Sequence, residues 1–277
     1  MVASHTPSAA QQRSELIMAQ LREGDGSVHV EQLSRDFGVS VATIRRDLDR
    51  LVQDGRVART YGGAVIHNLH AEQTLRQREV SHAEAKDAIA RAATRMVQPG
   101  STIFLDAGTT TGRLALHLST IRGLTILTHG LNALLTLADS DTDADVIALG
   151  GHLRRTNQAL IVPIAESVVE NIYTDIAFLG TDCLDVERGV SSRTLEQNNL
   201  KRLMAAHARR TIVLADSSKL DATWSTYWQP LPPPYTLVTD DTHGEEVLEP
   251  FLAADHVDVT VGEVHGQQSE SRRAWTG

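Results

Sequence analysis

Two stretches of this chain hold side chains that could do chemistry, and they ask for different partners. In SVATIRRDL, residues 40–48, Arg45 and Arg46 stand side by side, with Arg50 just beyond. A guanidinium donates bidentately to guanine O6 and N7 or pairs with phosphates, so arginines on one face of a rod suit a DNA groove. In DAGTTT, residues 106–111, Asp106 and Gly108 precede Thr109, Thr110 and Thr111 where a helix opens. Backbone N–H groups, the helix dipole and short hydroxyl donors coincide there, which makes a phosphate cradle. It is not a P-loop, because neither GxxxxGKS nor GxxxxGKT is present. DSSK, residues 216–219, adds a mobile cation, Lys219, beside Ser218, and GGHLRR, residues 150–155, supplies Gly151 and Arg154. Each stretch also has a plainer reading: a solvated helix face, a threonine-capped helix, a polar turn, a glycine hairpin.

The elements that must position these groups can be read from periodicity. Ser40 is a suitable N-cap, and Ile44, Leu48 and Leu51 follow at helical spacing with Val41 on the same side. Arg46 then points nearly opposite the apolar stripe, with Thr43 near it, Arg45 on the flank and Arg50 behind. Upstream, residues 13–22 form a short amphipathic helix, closed by residues 24–26. Val28 and Val30 lead into a second helix carrying Leu33 and Phe37, and Gly38 ends it. Helix, glycine turn and capped arginine-bearing helix make a helix-turn-helix. Val57, Thr60 and Gly62-Gly63 suggest a two-stranded wing, from which Arg56 and Arg59 could reach phosphates.

Beyond a polar linker the pattern changes. Helices are expected at 88–96, 111–118, 131–138, 163–169, 195–207 and 245–252. Strands are expected at 102–105, 124–128, 146–149, 176–179, 211–215, 236–238 and 257–261. Such alternation predicts an α/β domain on a mostly parallel sheet, with ligands at the carboxyl ends of the strands. The expected division is a disordered tail at 1–12, a small winged helix-turn-helix at 13–66, a partly helical linker at 67–82, a larger α/β domain at 83–262, and a disordered tail at 263–277.

Composition narrows the classes. The formal net charge is −9, but residues 1–65 hold eight arginines and eight acids, and the remainder holds 18 basic and 27 acidic residues. The first segment is therefore the less acidic one, though not basic overall, and the rest suits a small-molecule domain. No apolar run approaches the ~20 residues that span a bilayer. The start, MVASHTPSAAQQ, lacks the marks of a secretory signal. Cys183 is the single cysteine, more suited to a buried position than to nucleophilic work, and cytoplasmic residence is expected. His67, His70 and His82 follow no helical face and have no ligating companions, so neither metal nor other cofactor is expected.

Residues 13–64 resemble the N-terminal domain of DeoR-family bacterial transcriptional regulators. The resemblance rests on Val39-Ser40, Thr43-Ile44-Arg45-Arg46-Asp47-Leu48, Leu51, Gly55, Arg59 and Gly62-Gly63-Ala64, with Ser34 and Tyr61 as mild departures. The later part resembles that family's C-terminal sensor domain, a relative of ribose-5-phosphate isomerases. It does so through residues 106–111, Gly150-Gly151 with Arg154, Phe178-Leu179-Gly180, Lys201-Arg202 and residues 216–219. The resemblance implies a winged helix-turn-helix with residues 28–47 as its two-helix unit, and a sensor that binds a phosphorylated sugar or related metabolite and alters DNA affinity. Val162, Gln197 and His129 stand where the family more often has glycine, glutamate and asparagine, which changes the loop and polar contacts.

The expected function is a DNA-binding repressor of a carbohydrate-metabolism operon, acting as a homo-oligomer on a double-stranded operator. Ser40, Thr43, Arg45, Arg46, Arg50, Arg56 and Arg59 are the DNA-binding candidates. Asp106, Gly108, Thr109, Thr110, Thr111, Gly151, Arg154, Lys201, Ser218 and Lys219 are the effector-binding candidates. The rival expectation is a sugar-phosphate isomerase with an accessory N-terminal domain. It needs a general base, for which Asp106, Glu196 and Asp216 are available, none of them in a recognised catalytic motif.

Overall fold

The computed structural model of the chain describes residues 9–23, 27–54, 56–60, 62–66, 73–161, 164–220, 225–242 and 244–264. The expected tails at 1–8 and 265–277, the turn at 24–26, Gly55, Tyr61, His67, His70, the linker at 67–72 and Val162 with Pro163 lie outside these residues. The chain divides into two compact units, Met1–Gln73 and Thr74–Gly277.

In the first unit, α1 (Ala9–Glu23), α2 (Val30–Phe37) and α3 (Val41–Gln53) pack through Ile17, Leu21, Leu33, Ile44, Leu48 and Leu51, all buried. Helix α1 starts inside the expected disordered tail. Residues 9–12 are alanine and glutamine, which carry no apolar stripe but have high intrinsic helix propensity, so the helix extends toward the N-terminus. Gly38 takes the left-handed conformation, φ 63°, that stops α2. The wing has three strands rather than two: β1 (Ser27–His29), β2 (Val57–Thr60) and β3 (Gly63–Ile66), in the order β1-β3-β2 and antiparallel. Strand β1 has only three residues and is set by pairing with β3, which periodicity does not report. A Cβ on Gly63 would lie 2.0 Å from the Val28 carbonyl oxygen, so glycine is required for that approach.

The second unit opens with α4 (Leu75–Val80), inside the expected linker. Thr74 and Gln77 form a capping box, Leu75 is buried, and its N–H donates to Thr156 O at 2.8 Å. The linker is therefore shorter than residues 67–82, because one buried leucine and a capped turn are enough to dock a short helix.

Next come α5 (Ala83–Thr94), β4 (Thr102–Leu105), α6 (Thr109–Leu118), β5 (Thr125–Thr128), α7 (Leu131–Ala138), β6 (Asp145–Ala148) and the hairpin of β7 (His152–Arg154) and β8 (Ala159–Ile161). The chain continues through α8 (Ile164–Val169), β9 (Thr174–Gly180), β10 (Leu184–Asp185), β11 (Gly189–Ser192), α9 (Leu195–Ala206), β12 (Ala208–Leu214), β13 (Tyr227–Gln229), β14 (Tyr235–Asp240), α10 (Glu245–Leu252) and β15 (Val257–Gly262). Seven strands make one parallel sheet, ordered β15-β14-β12-β9-β4-β5-β6. Alternate residues feed opposite faces. Ile103, Leu105, Ile126 and Phe178 join α5, α6 and α7 in one core cluster, while Phe104, Leu127, Ala177 and Leu179 join α8 and α9 in another. The antiparallel β10-β11-β13 sheet was not expected, since its strands have two to four residues, whereas the β7-β8 hairpin is the plainer reading of GGHLRR. From β4 the chain builds outward to β6, then returns to the other side of β4 with β9. The strand order reverses between β4 and β9, where a parallel sheet opens a crevice at its carboxyl edge.

Leu48→Ala should lower the stability of the first unit by about 2–5 kcal/mol, because Leu48 is fully buried behind the arginine face. Chemical denaturation followed by far-UV circular dichroism would show the earlier transition.

Candidate functional sites

The first site is the outer face of α3. Ser40 is extended, and its hydroxyl accepts from the Thr43 N–H at 3.2 Å, fixing where the helix begins. The Thr43 hydroxyl lies 2.9 Å from that of Ser40. Beneath, Arg13 Nε on α1 holds the buried Asp47 at 2.6 Å, so the acid next to the arginine pair is a fastener and not part of the face. Arg45, Arg46 and Arg50 are exposed and form no ion pair among the described residues. Arg56 and Arg59 differ. Arg56 grips both carboxylate oxygens of Glu15, at 2.6 and 3.1 Å. Arg59 reaches Asp49 at 2.6 Å and the Arg45 carbonyl at 2.8 Å. Both pairs are on the surface and weak enough for a phosphate to displace. The Glu15–Arg56 pairing was not legible in the sequence, because the two residues are far apart along the chain.

The second site lies at the switch between β4 and β9. A cleft partly open to solvent is lined by residues 107–111, by Gly180 at the end of β9, by Thr181 and Asp182 just after it, and by Lys201 and Lys219. Gly108 is the N-cap of α6 and gives no side-chain cap, so the first N–H groups of the helix are left for another acceptor. Thr111 Oγ1 turns back to the Gly108 carbonyl at 3.1 Å, whereas Thr110 Oγ1 is buried and has no hydrogen-bond partner among the described residues.

Asp106 does not line the cleft; it is buried beneath it. One carboxylate oxygen accepts from Lys201 Nζ and from the Gly180 N–H at 2.8 Å. The other accepts from the Ala107 N–H and meets His129 Nε2, both at 2.8 Å. Burial alone would raise this carboxyl's pKa, but Lys201 and His129 outweigh it and hold the group well below the usual carboxylate range. The opposite nitrogen of His129 lies 3.2 Å from the Leu160 carbonyl oxygen, tying the β7-β8 hairpin to the same point. Lys201 also donates to the Gly180 carbonyl at 2.8 Å, yet still faces the cleft.

The turn after β12 is a short 3-10 segment, Ser217–Lys219. Ser217 is anchored on Asp240, with its N–H 2.7 Å from one carboxylate oxygen. Ser218 donates to Asp216 and stays outside the cleft lining. Lys219 lines the cleft and donates to the Thr181 carbonyl at 2.7 Å. Burial would raise Asp216, but Lys219 and the Ser218 hydroxyl bring it below its ordinary range. Gly151 and Arg154 also lie outside the lining. Gly151 sits at φ 145° against the Ile161 backbone, and Arg154 donates to Asn157, which does line the cleft, at 3.1 Å.

Sequence reading missed Arg78, Asn157, Asp182 and Ser192, which line the cleft from elements with no recognisable pattern. Gln197, noted only as a departure, lines it with a buried Oε1 lacking a partner. None of the three carboxyls available as a base, Asp106, Asp216 and Glu196, is poised near neutrality. Asp106 and Asp216 are held ionised, and Glu196 is exposed with its pKa lowered by backbone and Thr194 hydrogen bonds. Cys183 is buried, and burial pushes its thiol up, away from the thiolate form a nucleophile needs. Among the described residues no group of His, Cys, Asp and Glu is placed to hold a metal ion, and no helix is long and apolar enough to cross a membrane.

Asp106→Asn should destabilise the second unit by about 3–5 kcal/mol, because it leaves the buried Lys201 ammonium without its counter-charge. Since Asp106 titrates below its unfolded value of about 3.9, its contribution is present above that pH and lost as pH falls further. A pH series of thermal melts should therefore show a shallower acid limb in the variant.

Residues 13–69 match the family described as the DeoR-like helix-turn-helix domain, and residues 81–241 match the DeoR C terminal sensor domain. The HTH-type transcriptional regulator GlpR of Haloferax volcanii is 39% identical over 76% of this chain and 81% of its own. A protein of Escherichia coli O157:H7 named for repression of the aga operon is 37% identical over 76% of this chain and 78% of its own. The solved structure of ribose 5-phosphate isomerase A from Methanocaldococcus jannaschii covers 50% of this chain and 55% of its own, with 16% identity and a TM-score of 0.37. The relatives are named regulators and repressors, so the isomerase expectation gives way. This chain belongs to the DeoR family of DNA-binding transcriptional regulators.

Proposed function

We propose that the protein represses a carbohydrate-metabolism operon and leaves its operator when a phosphorylated sugar enters the cleft. One observation carries this reading. The uncapped start of α6 meets two lysines, Lys201 and Lys219, beside the unpartnered buried oxygens of Thr110 and Gln197. Backbone N–H donors, cations and hydroxyl-binding atoms within one small cleft match an anion attached to a polyhydroxylated body. Gly108, Thr109, Thr110 and Thr111 cradle the anion, Lys201 and Lys219 supply charge, and Asp106 holds the cradle in shape. Gly151, Arg154 and Ser218 act from behind the lining.

On the other unit, Arg46 reads base edges with Thr43 and Arg45 in support. Ser40 sets the helix start, and Arg50, Arg56 and Arg59 position phosphates. A single recognition helix gives modest affinity, so we take the working form to be a homo-oligomer on a repeated operator, in the cytoplasm. Thermal-shift screening of the full chain against phosphorylated sugars tests the effector reading, since a ligand bound only by the folded state raises the melting temperature. If no phosphorylated sugar raises it, the reading is wrong.

Arg46→Ala should weaken operator binding by about 1–3 kcal/mol and relax base preference. Gel shifts comparing operator with random DNA would show equal discrimination if Arg46 has no such role. Lys219→Ala should remove the response to the sugar phosphate that scores in the screen, while leaving effector-free operator binding intact. Calorimetry giving wild-type affinity for that compound would overturn the assignment.

A further inference from the structure

The cleft holds one cation that the preceding reading does not use. Arg78, on α4, lines it. Its Nη1 lies 3.4 Å from Asp182 Oδ1, a long single contact, while Nε and Nη2 are buried and have no hydrogen-bond partner among the described residues. A guanidinium is built for planar, two-pronged recognition of an oxyanion, so two idle buried prongs call for an acceptor.

Two simpler roles do not account for this placement. Asp182 does not depend on Arg78, because Arg193 approaches its other oxygen at 3.7 Å. Helix α4 does not depend on the Arg78 side chain either. It is fastened by the Leu75 N–H to Thr156 and by Lys86, whose ammonium donates to the backbone carbonyls of Arg78 and Ser81. The lining itself carries Arg78, Lys201 and Lys219 and one carboxylate, Asp182.

We propose that Arg78 binds the anion in the cleft directly, and that occupancy is thereby felt by α4, the element that opens the second unit right after the segment joining it to the first. The proposal rests on the reading of the cleft as an anion site. A side chain on that helix is the shortest covalent route from the ligand to the DNA-binding unit, since residue 73 ends the first unit and Thr74 caps α4.

The test uses the full chain and inorganic phosphate as probe, read by thermal shift and by amide hydrogen exchange over residues 75–80. Wild type should gain stability with phosphate, and exchange over α4 should slow. In Arg78→Gln the half-saturating phosphate concentration should rise at least tenfold and α4 exchange should no longer respond, with Arg78→Lys restoring part of the affinity. Melting without phosphate checks that the variants fold. An unaltered phosphate response in Arg78→Gln, or α4 exchange indifferent to phosphate in wild type, overturns the proposal. If Lys219→Ala weakens phosphate binding and Arg78→Gln does not, the role of Arg78 alone falls. If wild type shows no response at all, the anion reading falls with it.

Discussion

Everything at the ligand end of this protein depends on the placement of one buried carboxylate. Asp106 ends β4 at the point where the sheet reverses its strand order. It accepts from the start of the following loop, from the end of β9, from α9 through Lys201, and from the end of β5 through His129. A parallel sheet splays its carboxyl-terminal loops at such a point. Without a common anchor, the loops that form the cleft would each sample their own conformations. A carboxylate suits this role because it accepts from several directions at once. The low polarity around it strengthens each bond and also makes an unpaired partner expensive.

Anchor and site are different things here, and sequence reasoning did not separate them. Asp106 belongs to a motif that suggests ligand contact, yet its oxygens are committed within the protein. The same holds on α3, where Asp47 follows the exposed arginine pair but faces Arg13. In both units an acid inside the motif is paired within the protein, and its neighbours are left on the surface of the helix or in the lining of the cleft. This also resolves the charge puzzle of the first unit. With equal numbers of arginines and acids it is not basic, but Asp47 and Asp49 are paired locally, and Arg45, Arg46 and Arg50 remain exposed on one helix. Charge on a face matters to DNA more than charge in a total.

The parallel sheet and its helices were legible because each strand buries both faces and each helix repeats its apolar stripe; β4, α7 and α10 fall within a residue of where periodicity places them. The Ser40 cap was legible for the same local reason. What could not be read were the elements held by distant partners. Strand β1 exists because β3 pairs with it, and β10, β11 and β13 are too short to show alternation. Helix α4 is docked by one leucine within a polar run. Arg78 was invisible because it stands alone in that run. Thr110 and Lys219 were visible because they closely follow strand ends, inside clusters of hydroxyl residues.

These differences bear on how a sensor can act at all. A ligand shifts an equilibrium only by its difference in affinity for two arrangements, and moving a population from about 1:99 to about 99:1 takes about 5.5 kcal/mol. The start of α6 is held through Asp106 and packed against the sheet, so on the proposed reading its contacts supply affinity more than difference. Groups on elements that can shift are another matter: α4 has six residues and one buried leucine, far fewer restraints than α6. A hydrogen bond to a charged group contributes about 1.5–3 kcal/mol, so two or three such bonds made in one arrangement only reach the required scale. On the proposed reading, the cradle therefore supplies mainly affinity, whereas Arg78 on α4 contributes both to affinity and to the difference between arrangements.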